Sequence, residues 1–494
     1  MGAESKPLLT ALGWTKEVRA QRQVATANVG TEPPAGLVLL LRLYILSLPF
    51  TGFMLLNLSW IGFGVSPGYI SSAMLFFFWL LRDRTHSSKP LTIPGKIAIV
   101  YVVFVFLSVV QSGAIPAGVG AFYEKKPWLY GFTQSIYVAW TMGIFIILCQ
   151  IFSNFPGLCF RVLRWHVLTS LFVCAWGIYQ WIAYFVGWDY ITFFNNNPYR
   201  AELYFQTFAG LKRVSSIMNE PSQLGIYLLT VIPILFVDTP ALQNIVSNRL
   251  RFIALITCIT TIFLTTSMSG YASFAIFIGL FVLSRKRWKS RQGILVLGCI
   301  LVSFAAAAAL FARQASDFSL KEAMADRVLS SASDPDGSTL ERFSSAVAAF
   351  AMFLDHTLVG VGEGNYGFYY DRYSTALNTG IVPRVYAFFP RLLAEHGLVG
   401  VSIFLYLLFR IQRPALLPKR RNKSIVLETL TFGYIAACLN LFTSQAEIEH
   451  FYIWFLAAVV VGVGLLETEH ASQHEIANEY LLLSSSGEPG VAHA

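Results

Sequence analysis

Charge is the scarcest commodity in this sequence. Only 13% of its 494 residues are Asp, Glu, Lys or Arg, while 55% are hydrophobic and 15% aromatic. Soluble domains carry about 25% charged residues, so a soluble enzyme is excluded and a membrane protein is expected. Cysteine is also sparse. The six (Cys149, Cys159, Cys174, Cys258, Cys299 and Cys438) lie in apolar runs or at their ends, and the longest polar interval has none. No disulfide framework and no metal motif emerge from such spacing. The first 35 residues hold no apolar core, so no cleavable signal peptide is expected. The opening MGAESK matches a myristoylation pattern only superficially, and a polytopic protein needs no lipid anchor. Internal repeats are lacking too.

What is abundant is apolar runs of membrane-crossing length. Segments of roughly 17–25 apolar residues mark spanning helices. Twelve are expected, near 37–56, 66–82, 95–112, 130–152, 163–187, 222–237, 251–267, 270–284, 293–311, 391–409, 424–443 and 450–466. The fold class is therefore all-α: a polytopic membrane protein of about 12 spans with one large outer loop between helices 9 and 10. Its parts are a cytoplasmic tail over 1–36, a membrane domain over 37–466 with the loop at 312–390, and a cytoplasmic tail over 467–494 whose end is disordered. With both termini inside, 23 of the 36 Lys and Arg fall on inner segments, among them RDRTHSSK, RKRWKSR and KRRNK. That bias follows the positive-inside rule. The net charge of +9 is then mostly topological, and nucleic acid is not an expected partner. Arg42 alone lies within a span, placed to snorkel or to pair.

Three outer segments are long enough for chemistry. GAIPAGVGAFYEKKPW, from Gly113, reads as a turn. The second ends KRVSSIMNEPSQLGIYLL (Lys212–Leu229), putting Arg213, Asn219 and Glu220 just ahead of a helix that Pro221 can open. Ionisable groups at such a boundary mark functional sites when they face a protein cavity; helix-dipole and lipid-phosphate contacts are the alternative.

The third segment, Ala312–Pro390, is far longer than an ordinary connection. It includes LERFSSAVAAFAMFLDH (Leu340–His356), with apolar residues at 343, 346, 347, 350, 351 and 354. That is a helical stripe, suited to the membrane surface or to the bundle. Arg342, in its first turn, opposes the helix dipole; it serves a ligand or pairs with Glu341. HTLVGVGEGNYGFYY (His356–Tyr370) follows, with glycines at 360, 362, 364 and 367 whose N–H groups can bind anions. PRVYAFFPRLLAEHGLVGV (Pro383–Val401) closes the segment. Arg391 and Glu395 stand four apart and can pair on one face, whereas Arg384 precedes the helix and is freer to meet a ligand. His396, beside Gly397, reads as structural.

The order of these pieces carries a resemblance. RVSSIMNEPSQLG, a close helix pair with a Ser-rich turn, Arg342 followed after seventeen residues by GVGEGNY, and then LLAEHGLVG resemble the O-antigen polymerase/ligase family over roughly residues 200–410. The EPS tripeptide looks more like the polymerases. Two departures stand out. Many members have Ser-Arg-Gly in the helix-pair turn, where this chain has Ser267-Met268-Ser269-Gly270. Ligases have His-Asn where this chain has Tyr386 and Ala387.

The resemblance implies a metal-independent glycosyltransferase of the bacterial inner membrane that needs no cofactor. It would transfer glycan repeat units from a polyprenyl (undecaprenyl) diphosphate carrier to a sugar hydroxyl at the outer face. The implied partners are the lipid-linked oligosaccharide, the sugar acceptor, membrane lipid and a chain-length regulator. Arg213, Arg342 and Arg384 would hold the diphosphate, because arginine binds phosphate oxygens through a permanently charged fork. Glu220 would accept the hydroxyl's proton. Asn219, Gly362, Gly364, Asn365, Tyr386 and Arg391 would line the substrate site, with no metal ligands among them. A ligase is the alternative within the family. A lipid-linked sugar transporter is the alternative outside it, disfavoured because transporters place ionisable groups near the midplane and show repeated halves.

Overall fold

A computed structural model describes residues 32–58, 63–81, 89–115, 126–189, 191–197, 207–208, 211–237, 246–285, 337–373, 385–416, 424–444 and 448–485. Helices stand at eleven of the twelve expected runs. They are α1 (Ala35–Ser47), α2 (Pro67–Leu81), α3 (Ile93–Ser108, extended by a 3-10 turn over Val109–Ala114), α4 (Pro127–Asn154), α5 (Leu158–Val186) and α6 (Pro221–Phe236). After these come α7 (Asn248–Leu264) and α8 (Met268–Arg285). The expected run at 293–311 lies outside the described residues. The chain then gives α9 (Gly337–Asp355), α10 (Tyr366–Tyr373), α11 (Phe388–Leu416), α12 (Ile425–Ser444) and α13 (Phe451–Ser485). Two antiparallel hairpins complete it: β1 (Leu56–Leu58) with β2 (Phe63–Val65), and β3 (Thr207–Phe208) with β4 (Leu211–Lys212).

Local chemistry sets most of the helix ends. Thr92 caps α3 by accepting from the Gly95 N–H, with proline in the first turn. Proline also opens α4 and α6, where its missing N–H has no partner to lose. Gly187 ends α5 in the left-handed conformation. Two boundaries differ most from expectation. The first span stops at Ser47, not 56, because Pro49 has no N–H to continue the helical ladder. The last helix runs on to Ser485, through the expected polar tail. No proline or glycine falls between Leu465 and Ser485, so polarity ends the apolar stretch without ending the helix.

Among the described residues, six helices are long and apolar enough to cross a membrane: Ile93–Gly113, α4, α5, α11, α12 and Phe451–Thr468 of α13. Apolar side chains on their outer faces, such as Val103, Leu107 and Phe132, are exposed; that suits lipid better than water. The centre of the bundle is α6, buried at every residue and packed against α12, α7 and α8. Arg42 points outward from α1, away from the core.

Hydrogen bonds such as Met54–Asn196, Val214–Leu264, Ser112–Asn365 and Tyr69–Glu449 gather the polar connections at two ends. Those after α1, α3, α5, α7, α9 and α12 share one end. The other bears Lys89, Arg161, Arg164, Arg251 and Arg413. The amphipathic segment of the long loop is helical as expected, yet its apolar stripe does not face the protein. Val347, Phe350 and Leu354 are exposed, while Ser345, Ala348, Ala349 and Met352 pack inward with Val361, Tyr366 and Ala394. Small residues let α9 approach α11 closely, leaving the bulky face for the membrane surface.

Candidate active site

The candidate site forms at the end opposite the basic residues, beginning with the strap that leads into α6. Residues 213–220 form an irregular, largely buried strap with a turn at Ser216 and Ile217. Gln180 of α5 clamps the strap at Ser216, its Oε1 accepting from the Ser216 N–H (2.7 Å) and its Nε2 donating to the Ser216 carbonyl (2.8 Å). The Ser216 hydroxyl donates to the Val173 carbonyl (2.6 Å). The Val214 N–H reaches the Leu264 carbonyl at the end of α7 (3.0 Å). Ser216 (φ 55°) and Thr266 (φ 48°) are the non-glycine residues in the left-handed region among those described. Such strain persists only where surrounding contacts enforce it, and it clusters at functional sites. Arg213 Nε donates to Thr266 Oγ1 (3.2 Å), so the strap and the α7–α8 turn are linked at these positions. That turn is Thr265–Ser267, slightly ahead of the expected one; Met268 and Ser269 already belong to α8.

Further along the strap, Asn219 accepts from Asn197 Nδ2 (3.0 Å), and its N–H donates to Thr51 Oγ1 (3.3 Å). Thr51 donates in turn to Gln223 Oε1 (3.2 Å). Glu220 is the N-cap of α6 without capping it through its side chain; its Oε2 accepts from the Ser222 hydroxyl (3.2 Å). Upstream, burial pushes the Lys212 ammonium down to about 8, and the neighbouring charge of Arg213 adds to the effect. Two cations and a carboxylate thus stand within nine residues at the head of the central helix.

A second polar cluster comes from the long loop. The α11 helix is broken at Gly397 (φ 59°, ψ −164°), which frees backbone groups on both sides of the break. The glycine loop satisfies them. The Val361 and Gly362 N–H groups donate to the Ala394 and Glu395 carbonyls (2.8 and 2.9 Å). The Leu398 and Val399 N–H groups donate to the Thr357 and Leu358 carbonyls (2.8 and 3.0 Å). A Cβ on Gly360 would fall 2.4 Å from the Glu395 carbonyl carbon, and one on Gly397 2.5 Å from the Gly360 nitrogen. Glycine is required at both for the two segments to interlock.

Inside the interlock lies a buried ionic network. Arg391 Nε meets Glu395 Oε2 (2.8 Å), and its Nη2 meets Glu363 Oε1 (2.8 Å). Glu363 Oε2 is 2.7 Å from His396 Nε2, whose Nδ1 is 3.3 Å from the Tyr101 hydroxyl. The Glu363 N–H donates to Ser108 Oγ (3.1 Å) and the Tyr366 N–H to Glu395 Oε1 (3.3 Å). Burial opposes the charge of Glu363, but Arg391 and His396 outweigh it and hold the carboxyl below its ordinary value.

The turn between α12 and α13 joins the clusters. Ile448 and Glu449 line a small cavity with Tyr101, Gln134, Glu363 and Arg391, and Glu449 Oε2 accepts from the Tyr69 hydroxyl (3.0 Å). On the other side, His450 Nδ1 is 3.1 Å from the Tyr452 hydroxyl, which reaches the Gln223 carbonyl of α6 (3.5 Å).

Set against the sequence expectations, Arg213, Asn219 and Glu220 lie on one strap, Arg213 bonded to the α7–α8 turn and Asn219 and Glu220 at the start of α6. Arg342 lies on α9 with its side chain outside the described atoms, and Arg384 lies outside the described residues. Tyr386 is half-buried just before α11. Arg391 takes the expected pairing with Glu395 and adds Glu363. The anion-binding reading of the glycine loop needs correction. The N–H groups of Gly360, Val361 and Gly362 all donate to backbone carbonyls, and Glu363 donates to Ser108. Asn365 Nδ2 donates to the Val361 carbonyl (2.8 Å), while its Oδ1 accepts from Ser112 (3.1 Å). Gly362 and Asn365 therefore build the interlock, and Gly364 packs its backbone against Gly131 and Tyr130. Glu363, passed over in the sequence, holds the network with His396, which was read as structural, while Glu449 and His450 went unnoticed. Two ionisable residues flanking a span boundary, in EIEHFY, were the available signal.

No curated protein matches the chain. Residues 253–405 match the family model described as O-antigen ligase, a stretch running from α7 through the glycine loop and past the break in α11. Glu363, Arg391, Glu395 and His396 thus fall within a stretch that is similar to the O-antigen ligase family.

Proposed function

We propose that the chain is a glycosyltransferase that polymerises glycan repeat units, drawing them from a polyprenyl diphosphate carrier and passing them to a sugar hydroxyl. The observation that carries this reading is the strap at the head of α6, which carries Lys212, Arg213, Asn219 and Glu220 and is tied through Arg213 to the strained α7–α8 turn. In this proposal Arg213 binds the diphosphate and stabilises the charge that grows on it as the glycosidic bond breaks. Arg342 and Arg384 join it from the long loop, so that no metal is needed. Glu220 supplies the negative charge against which the acceptor hydroxyl loses its proton. The basic residues at the opposite end support an outward-facing site in a bacterial inner membrane, with twelve crossings and both termini cytoplasmic. Transfer of finished polymer to a lipid acceptor is the second reading, favoured by the description of the matching family.

The test is Arg213→Ala in the full-length protein, with cell-surface glycan and lipid-linked intermediates analysed together. Removing one donor to a developing oxyanion lowers turnover by about 10²–10³-fold. The expected result is loss of polymer, accumulation of single lipid-linked units, normal protein abundance, and wild-type activity that survives a chelator. Long unattached polymer would favour the ligase reading. Near-normal polymer from Arg213→Ala would refute the site.

A further inference from the structure

We propose that His450 is a catalytic residue of this transfer: its Nε2 takes the proton of the attacking sugar hydroxyl, with the Glu220 carboxylate as counter-charge. The proposal rests on the glycan-transfer reading above.

Four observations place it. His450 is only 4% exposed, and its Nε2 is buried with no hydrogen-bond partner among the described residues. Buried polar atoms nearly always have a partner, and exceptions call for an explanation such as a ligand. The other ring nitrogen is held: Nδ1 lies 3.1 Å from the Tyr452 hydroxyl, and the two rings stack at 5.4 Å with an interplanar angle of 26°. The Tyr452 hydroxyl donates to the Gln223 carbonyl, which leaves its oxygen to accept from Nδ1–H. The neutral ring then presents a lone pair on Nε2, as a base requires. Finally, Gln223 is tied through Thr51 to Asn219, so the ring is fixed to the strap that carries Glu220.

Burial drives the His450 imidazole down to about 4, while the Glu220 carboxylate pulls the other way. The ring is therefore neutral before reaction, and the field of Glu220 favours the cation formed on proton uptake. Glu449, bonded to Tyr69, is the adjacent carboxylate, and Tyr452 is the titratable group in contact. His166 offers a contrast. Its Nδ1 is also unpartnered, but it sits within α5 against Thr230, Tyr227 and Phe455, remote from any connection.

The step balances. A bond forms between the acceptor oxygen and the anomeric carbon, and the bond from that carbon to the diphosphate oxygen breaks. Its electron pair leaves with the lipid diphosphate, whose added negative charge meets Arg213. The hydroxyl proton passes to Nε2 and is later released to water.

The experiment uses full-length protein in lipid nanodiscs with undecaprenyl diphosphate-linked oligosaccharide as donor. Losing a general base lowers turnover by about 10²–10⁴-fold. His450→Gln should therefore reduce kcat by at least about 100-fold while leaving undecaprenyl diphosphate binding and the melting temperature near wild type. Imidazole added to His450→Ala should restore part of the rate, which a merely structural role would not allow. Turnover of His450→Gln close to wild type, alongside an inactive Arg213→Ala, would overturn this role and leave the transfer reading intact. An inert wild type, or an unimpaired Arg213→Ala, would instead defeat the transfer reading and this role with it. If His450→Gln does not fold, Tyr452→Phe keeps the ring and removes its Nδ1 partner. A clear fall in kcat there supports the role, and an unchanged kcat overturns it.

Discussion

Replacing Glu363 offers the sharpest test of what holds the outer loop to the bundle. Its two oxygens meet Arg391 at 2.8 Å and His396 at 2.7 Å, with the Glu363 and His396 side chains almost wholly buried and Arg391 nearly so. Removing one member of a buried charge network costs about 3–5 kcal/mol, because its partners are left uncompensated. Glu363→Ala should approach that range. Glu363→Gln keeps the shape and some hydrogen bonds, so about 1.5–3 kcal/mol is expected, the contribution of charge-assisted bonds. Thermal unfolding of the solubilised full-length chain would read these as a shift of a few degrees for Gln and roughly twice that for Ala, given about 2 °C per kcal/mol in large domains. Acid provides an internal check. The Glu363 carboxyl is held below its ordinary value of 4.5. Its stabilising effect is complete above that value and is lost as pH falls through the depressed one. Wild type should thus lose melting temperature below about pH 4.5 more steeply than Glu363→Gln. Equal acid slopes in the two proteins, or an alanine variant as stable as wild type, would show that the network does not fasten the loop.

Two further predictions concern the interlock and the orientation. Gly360→Ala places a methyl group 2.4 Å from the Glu395 carbonyl carbon at φ 69°, whereas Gly157→Ala meets nothing within 4 Å. The first should destabilise by more than the roughly 1–2 kcal/mol of left-handed strain alone, and the second should be near neutral; equal melting temperatures would refute the interlock. Cysteine introduced at Ser338 should react with an impermeant thiol reagent in intact spheroplasts, and cysteine at Ser424 should not. The five described native cysteines are buried, which keeps the background low, and reversed labelling would overturn the sidedness.

Much of the helical framework was legible because a long apolar run needs no tertiary information to declare itself. Pro127 and Pro221 mark their helix starts in the sequence, and the crowded pair α7 and α8 was found despite a connection of three residues. Pro49 was equally visible and should have shortened the first span. The interlock was not legible. It pairs residues 357–362 with 394–399 through backbone bonds, which leave no trace except glycines that suit several other purposes. The direction of the amphipathic helix was left open between membrane surface and bundle for a related reason. Bulk and apolarity mark a stripe, but alanine and serine mark the face that can come closest to α11. His450 was lost by a counting convention, having been placed as the first residue of the last span, although it stands one residue ahead of α13.

These misses share a physical cause. In a bundle whose helices are apolar throughout, chemistry depends on the few groups at helix heads, and their partners lie far away in the chain. Glu220 precedes α6, Arg391 lies in the first turn of α11, and His450 precedes α13. Thr51, Gln180 and Tyr101 come from three other helices or their ends to hold this framework. Because α6 is buried along its whole length, its head is fixed by the core and cannot move without disturbing the bundle. The glycine loop, by contrast, lies outside that core and is fastened by the interlock, its ionic network and contacts to Ser108, Ser112 and Tyr130. The cluster at α6 is thus the rigid part of the site, and the turn at 448–450 is the path by which any shift of Arg391 and Glu363 would reach it.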